Sequence, residues 1–219
     1  MAALARSVLV TGSNRGIGLE LVRQLAASPR PPQHIFATCR DPGGPRGKAL
    51  QELAAQHPSI KLVQLADTVN LPSIRGAVWA VGSYLKDQGL NLLINNAGVS
   101  SHATLHSLNS QEMLSVFATN AIGPLQVAKE FLPLLEKAAN GSGQEGLSCS
   151  RAAIINISTK LGSIGLCLGV HQDPMYPYRA SKAPLMVEHS VRGILTVLAS
   201  LSQDNSGAFL DWEGNSLPW

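Results

Sequence analysis

The sequence predicts a doubly wound, parallel α/β sheet built from one domain. Short, uninterrupted apolar segments alternate with longer segments whose apolar residues recur at helical spacing. The 219 residues suffice for one such domain with a sizeable core. Hydrophobic residues make up 45% of the chain and charged residues 14%, a globular rather than a disordered composition. We therefore expect residues 1–219 to form a single domain.

The expected elements follow one another in a regular order. Strands are expected over short apolar segments, because parallel strands are buried on both faces: Ser7–Val10, His34–Cys39, Ile60–Leu65, Leu90–Ile94 and Ala152–Ile157. Helices are expected over the segments with helical spacing: Ile17–Ala27, Lys48–Gln56, Pro72–Gln88 and Gln111–Lys137, the last interrupted near Gly123. Prolines or glycines mark the intervening loops at Ser28–Gln33, Asp41–Gly47 and Asn140–Ser150.

Composition excludes several classes of protein. The net charge of +3 is mild and the basic residues are scattered, which argues against nucleic-acid binding. Cys39, Cys149 and Cys167 lack metal or disulfide spacing, so each is expected to be a buried apolar residue. The six histidines also lack metal-ligand spacing, and we expect no metal site. Residues 1–6 leave no room for a signal peptide and no apolar run could span a membrane, so we expect a cytoplasmic protein.

A glycine-rich loop, Thr11–Gly18, lies between the first strand and the first helix. Its three glycines permit a tight turn, a close approach of backbone to a pyrophosphate and close packing of helix on strand. The helix start offers free N–H groups and a positive dipole end to phosphates. No Gly-Lys-Ser/Thr sequence ends the loop, which excludes the Walker type. In this context the loop predicts a Rossmann-type dinucleotide site.

Tyr178 and Lys182 are four residues apart, which places them on one face of a helix. A tyrosine hydroxyl has a pKa of about 10 in water, and a nearby ammonium group lowers it. Tyr178 could then give a proton to a carbonyl oxygen while a nicotinamide supplies hydride. A serine-hydrolase mechanism is excluded because the sequence has no Gly-x-Ser-x-Gly.

These motifs together resemble the short-chain dehydrogenase/reductase family. The resemblance runs in order over Val8–Lys182, through the glycines at 12, 16 and 18, Asn95–Gly98, Asn120, Ile154–Thr159 and the Tyr-x-Ala-Ser-Lys of Tyr178–Lys182. Within the family, the sniffer-type and C-factor-like carbonyl reductases are the most similar. That finer resemblance rests on Gly12–Gly18, Ile154–Ile164 and Gly207–Trp219.

The resemblance implies a role for each matching residue. Lys182 would also bind the nicotinamide ribose, and Asn120 would hold a water in a proton relay to Lys182. Thr159 would orient the substrate carbonyl, with Ser158 as the neighbouring candidate. The implied cofactor-binding residues are Gly12, Ser13, Asn14, Arg15, Gly16, Ile17, Gly18, Arg40, Asp67, Asn96, Ala97, Gly98, Tyr178 and Lys182. Asp67 would contact adenine, although it could equally be a turn residue.

The residues after the second strand favour NADP(H) over NAD. An acidic residue there binds the adenosine ribose of NAD, whereas a basic residue accommodates the 2′-phosphate of NADP. Here Arg40 ends that strand and Arg15 lies in the glycine loop, and guanidinium groups suit a phosphate. Asp41 keeps NAD as the lesser option.

The sequence departs from the family just after Lys182. Pro184 lacks an N–H and clashes with the carbonyl of Ala180, so the helix bearing Tyr178 should end near Ala183. Pro184–Leu201 resembles the family's last helix and Ser206–Trp212 its final strand. A sixth strand with its helix region, about 30 residues or more, is therefore missing, and a homodimer through the usual surface would be weakened.

Three hypotheses follow for the activity of this chain. The first is an NADPH-dependent reductase of small carbonyl compounds with Tyr178 as the proton donor. The second is a catalytically impaired short form that binds a dinucleotide or another protein. The third is a product without function. The loop Gly162–Pro177 should shape the pocket but does not specify a substrate.

Overall fold

The computed structural model describes residues 4–143, 148–166, 174–183, 198–202, 205–211 and 213–218. In these residues five parallel strands form one sheet in the order β3-β2-β1-β4-β5. The strands are β1 (Ser7–Val10), β2 (His34–Cys39), β3 (Ile60–Gln64), β4 (Leu92–Asn95) and β5 (Ala153–Asn156). The strand order reverses between β1 and β4, where doubly wound sheets open a crevice at their carboxyl ends.

Six α-helices alternate with or follow these strands in the described residues. They are α1 (Gly16–Ala26), α2 (Lys48–Gln56), α3 (Leu71–Leu85), α4 (Ser110–Phe117), α5 (Gly123–Gly141) and α6 (Tyr176–Lys182). A π-helical turn, Ala118–Ile122, joins α4 directly to α5, so the predicted interruption near Gly123 is a local widening of one helical region. Pro124 is tolerated there because it lies in the first turn of α5.

Helices cover both faces of the sheet, which confirms the doubly wound fold. On one face, side chains of α1 and α2 such as Leu21 and Leu50 pack with alternate residues of β1. On the other face, Ile74 of α3 and Phe131 of α5 pack with Leu9 of β1. Consecutive residues of β1 therefore serve two cores, which explains its uninterrupted apolar sequence.

Two cysteines lie in the core, as predicted. Cys39 and Cys149 are free and buried, and burial raises the pKa of both thiols, that of Cys149 to about 11. Neither thiol is therefore activated for nucleophilic chemistry. Cys167 lies outside the described residues.

The carboxyl-terminal third differs from the expectation. Helix α6 ends at Lys182, as predicted, but most of the expected helix Pro184–Leu201 lies outside the described residues. The prediction of a final strand over Ser206–Trp212 is wrong: Leu210 instead forms a single antiparallel bridge with Ser216. The Asp211 carboxylate accepts the N–H groups of Glu213 and Asn215, at 2.9 and 2.8 Å, and folds this segment into a hairpin.

Candidate active site

The glycine loop follows β1 and leads into α1. Residues 12–15 form the loop, and Gly16, Ile17 and Gly18 lie in the first turn of α1. Gly12 has a φ of +67°, and a Cβ there would lie only 2.9 Å from the Cα of Ala97. A side chain at position 12 would be strained and would push the loop off the segment that follows β4.

Thr11 and Asn96 join the carboxyl ends of β1 and β4. The Thr11 hydroxyl accepts the N–H groups of Asn96 (3.0 Å) and Ala97 (2.9 Å). The Asn96 amide in turn donates to the carbonyls of Thr11 (2.9 Å) and Gly12 (3.2 Å). Thr11 was not among the predicted site residues, although its place at the start of the glycine motif was a signal.

The amino end of α1 is open for an anion. Arg15 at the cap position makes no capping hydrogen bond through its side chain, and the first turn holds no acidic residue. The N–H groups there therefore remain available, together with the positive end of the helix dipole. Ser13 faces the other way: its hydroxyl donates to the Val10 carbonyl (2.7 Å), so this side chain braces the loop.

Arg15 and Arg40 are exposed and form no ion pair with any other residue in the described ranges. Asn14 donates to the carbonyl of Arg46 (3.2 Å), which ties the glycine loop to the loop after β2. An ideal Cβ built on Gly44 would meet the Asp41 carboxylate, so that carboxylate lies over its own loop.

Asp67 lies in a turn after β3. Its carboxylate accepts the N–H of Val69 (2.9 Å), and its own N–H binds the Ser73 hydroxyl (3.1 Å). This geometry fits the turn alternative for Asp67 and leaves the adenine contact a prediction.

Lys182 lies at the end of α6 with its side chain buried. Its Nζ donates to the carbonyl of Ile157 at 2.8 Å and lies 6.0 Å from the ring centroid of Tyr178. A Cβ on Gly98 would lie 3.5 Å from this Nζ, which places Lys182 beside the Asn-Asn-Ala-Gly segment. Burial disfavours the charged ammonium and lowers the pKa of Lys182 to about 8.

Asn120 is fully buried in the π-helical turn between α4 and α5. Its Oδ1 accepts the Val99 N–H (2.8 Å), and its Nδ2 donates to the Val99 carbonyl (2.8 Å) and the Ser181 hydroxyl (2.9 Å). Asn120 therefore links the segment after β4 to α6. Ser181 was not predicted as a site residue, although it stands inside the Tyr-x-Ala-Ser-Lys motif.

The two candidate hydroxyls after β5 are both buried but are used differently. Ser158 donates its proton to the carbonyl of Lys182 (2.8 Å), so it fastens the end of α6. The Thr159 hydroxyl accepts the N–H of Leu161 (3.3 Å), and it donates its own proton to no acceptor among the described residues. Thr159 can therefore donate to a ligand, whereas Ser158 is already committed.

The predicted site residues thus meet along one edge of the sheet, apart from Asp67 and the exposed arginines, whose roles depend on a bound ligand. No group of three His, Cys, Asp or Glu side chains in the described ranges could hold a metal ion. None of the described helices is both long and apolar enough to cross a membrane.

Solved structures with a similar fold include two carbonyl reductases. The NADPH-bound carbonyl reductase from chicken fatty liver superposes with a TM-score of 0.92 at 41% identity, over 98% of this chain and 94% of that one. The carbonyl reductase Sniffer of Drosophila melanogaster superposes with a TM-score of 0.88 at 34% identity, over 98% of this chain and all of that one.

Curated proteins similar in sequence to this chain include oxidoreductases that are longer than it. An uncharacterised oxidoreductase of Schizosaccharomyces pombe is 27% identical over 261 residues, covering both chains completely, although this chain has 219 residues. Retinol dehydrogenase 8 of Bos taurus is 34% identical over 143 residues, which are 64% of this chain and 44% of that protein.

The family model described as short chain dehydrogenase matches residues 6–187. That range contains the glycine loop, the segment after β4, Asn120 and the Tyr178–Lys182 pair, in the order and arrangement described above. This chain therefore belongs to the short-chain dehydrogenase family, as a member shorter than its relatives.

Proposed function

We propose that this chain is an NADPH-dependent oxidoreductase that reduces the carbonyl group of small aldehydes or ketones. The observation that carries the proposal is the buried Lys182 ammonium, which is held by the Ile157 carbonyl and lies beside Gly98 and 6.0 Å from the centroid of the Tyr178 ring. The likeness to an NADPH-bound carbonyl reductase at 41% identity supports the same reaction class.

The glycine loop and the open amino end of α1 fit the pyrophosphate of a dinucleotide. The close approach of Gly12 to Ala97 leaves backbone rather than side chain at the crevice. Arg15 and Arg40 would bind the 2′-phosphate of NADP, and the position of the Asp41 carboxylate over its own loop disfavours a ribose contact typical of NAD. When bound, NADPH supplies the hydride.

In the proposed reaction Tyr178 donates its hydroxyl proton to the carbonyl oxygen. The Lys182 ammonium favours the phenolate that this step leaves behind. Thr159 donates a hydrogen bond that orients the carbonyl, because its proton is uncommitted among the described residues. The Oδ1 of Asn120 accepts one hydrogen bond there, which leaves a second lone pair for a relay water beside Lys182.

Steady-state oxidation of NADPH with a panel of aldehydes and ketones tests this proposal. The purified chain should consume NADPH only when a carbonyl compound is present. Tyr178→Phe, which removes the proton donor and keeps the ring, should lower kcat by about 10²–10⁴-fold.

Tyr84→Phe is the matched control, because Tyr84 lies on α3, outside the candidate site, and is 47% exposed. It should leave kcat unchanged. Equal turnover in the wild-type chain and Tyr178→Phe would contradict the assignment of Tyr178.

A second candidate function is dinucleotide binding without turnover. Two observations favour it: α6 has only seven residues, and no described strand lies beyond β5. Stabilisation of the fold by NADPH without turnover would support this candidate. Recovery of activity on insertion of the missing strand and helix would show that the shortening is the cause.

A further inference from the structure

The chain ends in a small hairpin that is held by its own hydrogen bonds. We call residues 209–211 and 213–218 the C-terminal hairpin. The Leu217 N–H donates to the Phe209 carbonyl (2.9 Å), and the Asp211 N–H donates to the Asn215 carbonyl (2.9 Å). Phe209 is 2% exposed, so the hairpin is anchored in the protein and is not a loose tail.

The C-terminal hairpin holds the turn that follows Thr159. This turn is a short 3₁₀ helix, Lys160–Gly162, followed by Ser163. The buried Ser163 hydroxyl donates to the Pro218 carbonyl at 2.8 Å. Burial acts to raise the pKa of the Asp211 carboxyl, but hydrogen bonds from Asn215 and Glu213 and the positive charge of Lys160 outweigh it and lower that pKa. The hairpin and the turn therefore meet through a hydrogen bond, and the charge of Lys160 in the turn favours the ionised Asp211 carboxylate in the hairpin.

The same turn packs on the end of α6. A Cβ on Gly162 would lie 2.9 Å from the carbonyl carbon of Lys182, so the two backbones are in close contact. Just before the turn, Ser158 donates to the Lys182 carbonyl and the Ile157 carbonyl accepts from Lys182 Nζ. Residues 157–163 thus connect the C-terminal hairpin to the lysine of the candidate site.

We propose that the C-terminal hairpin is a positioning element for the active site. By fixing Ser163, it holds the turn against α6 and so fixes Thr159 and Lys182 relative to each other. The need is physical, because a helix of seven residues is not stable without packing. The consequence for catalysis rests on the proposed function, whereas the mechanical coupling does not.

Hydrogen exchange of the ligand-free full chain tests the coupling without any need for turnover. Ser163→Ala removes the bond to Pro218 and also the bond that the Ser163 hydroxyl accepts from the Leu166 N–H (3.1 Å). Amides in residues 159–166 and 176–183 should then exchange roughly three- to tenfold faster, and residues 176–183 are the decisive segment because the Leu166 bond does not reach them. Ser163→Thr keeps the hydroxyl and should restore the slow exchange. Ser28→Ala is the matched control, because it removes a hydroxyl-to-carbonyl bond at the end of α1.

The pattern of exchange decides the outcome. Unchanged exchange in residues 176–183, with or without a local increase in residues 159–166, would overturn the proposal, as would an equal increase across the whole chain. In kinetic assays Ser163→Ala should lower kcat roughly three- to tenfold with less than a twofold change in NADPH affinity. An inactive wild-type chain that shows the expected exchange pattern would contradict the proposed function and leave the coupling established.

Discussion

The ammonium group of Lys182 is buried, which is unfavourable for folding, and we expect its charge to support catalysis. Burying an ammonium is unfavourable unless the charge is compensated, and here the Ile157 carbonyl is its hydrogen-bond partner. The loss of solvation lowers the pKa of Lys182 to about 8, within reach of ordinary buffers. Because its charge is expected to support proton donation by Tyr178, the protonation of Lys182 should be visible in both activity and stability.

Carbonyl reduction should fall as the pH rises through about 8, since Lys182 then loses the charge that favours the Tyr178 phenolate. The pH profile of kcat/KM reports this group. Lys129→Met, which removes an exposed charge on α5, should keep the same profile. A profile that stays flat from pH 7 to about 10 would contradict the role of Lys182.

The stability of the ligand-free chain gives a check that does not depend on turnover. Because the pKa of Lys182 is lowered from 10.5 to about 8, the unfolded chain binds more protons than the native chain between these values. The free energy of unfolding should therefore rise with pH across this window, by about 3 kcal/mol at most, and Lys182→Met should remove the rise.

At the scale of single residues, the sequence predicted the members of spaced motifs better than the roles of individual hydroxyl groups. The glycines, Asn96 and Lys182 belong to spaced motifs and were found. The hydroxyl groups of Thr11, Ser163 and Ser181 each hydrogen-bond to a residue that is distant in sequence. Thr11 and Ser181 lie in the recognised motifs and could have been included on that ground, whereas the partner of Ser163 depends on the tertiary structure and could not be inferred from residue type or spacing.

At the scale of elements, the strands and helices as far as α5 were predictable because periodicity and burial agree. The helix Lys48–Gln56 and the strands Ser7–Val10 and His34–Cys39 were predicted to the residue, and the other three strands differ by one or two residues at one or both ends. An interruption near Gly123 was predicted, but its π-helical form was not, since a local widening of the helix leaves no mark on the hydrophobic pattern. The segment after Asn205 was predicted wrongly, because the side-chain bonds of Asp211 favour a hairpin over an extended strand.

Asn120 is the residue through which the π-helical turn should stabilise the site. Asn120→Ala would leave the partly buried N–H and carbonyl of Val99 without their side-chain partner. We expect a loss of about 2–4 kcal/mol in the free energy of unfolding, measured with urea. Asn140→Ala, at an exposed position near the end of α5, should change it by less than about 0.5 kcal/mol. Equal stabilities of the two variants would contradict this role.

At the scale of the whole molecule, the shortening affects one side of the sheet. The S. pombe relative aligns over 261 residues, 42 more than this chain contains. In the described part of the chain β5 forms an edge of the sheet, and Ile154 on it is 39% exposed. The unpaired backbone groups of an exposed strand edge can pair with another chain, which favours unwanted association. The central strand β1 keeps buried neighbours and helices on both faces.

The dinucleotide site depends on the intact part of the molecule. The glycine loop, the open end of α1 and the segment after β4 all surround β1 and β4, at the centre of the sheet. The groups proposed for the chemistry, Thr159 after β5 and Tyr178 and Lys182 on α6, lie next to the shortened region. Nucleotide binding should therefore be more robust than turnover in this chain.

Calorimetric titration of the purified chain with NADPH and, separately, with NADH tests the central claim most directly. We predict one NADPH per chain and a dissociation constant for NADPH at least about tenfold below that for NADH, because Arg15 and Arg40 are available for the 2′-phosphate. A folded chain that binds neither nucleotide, or that binds NADH more tightly than NADPH, would contradict the account.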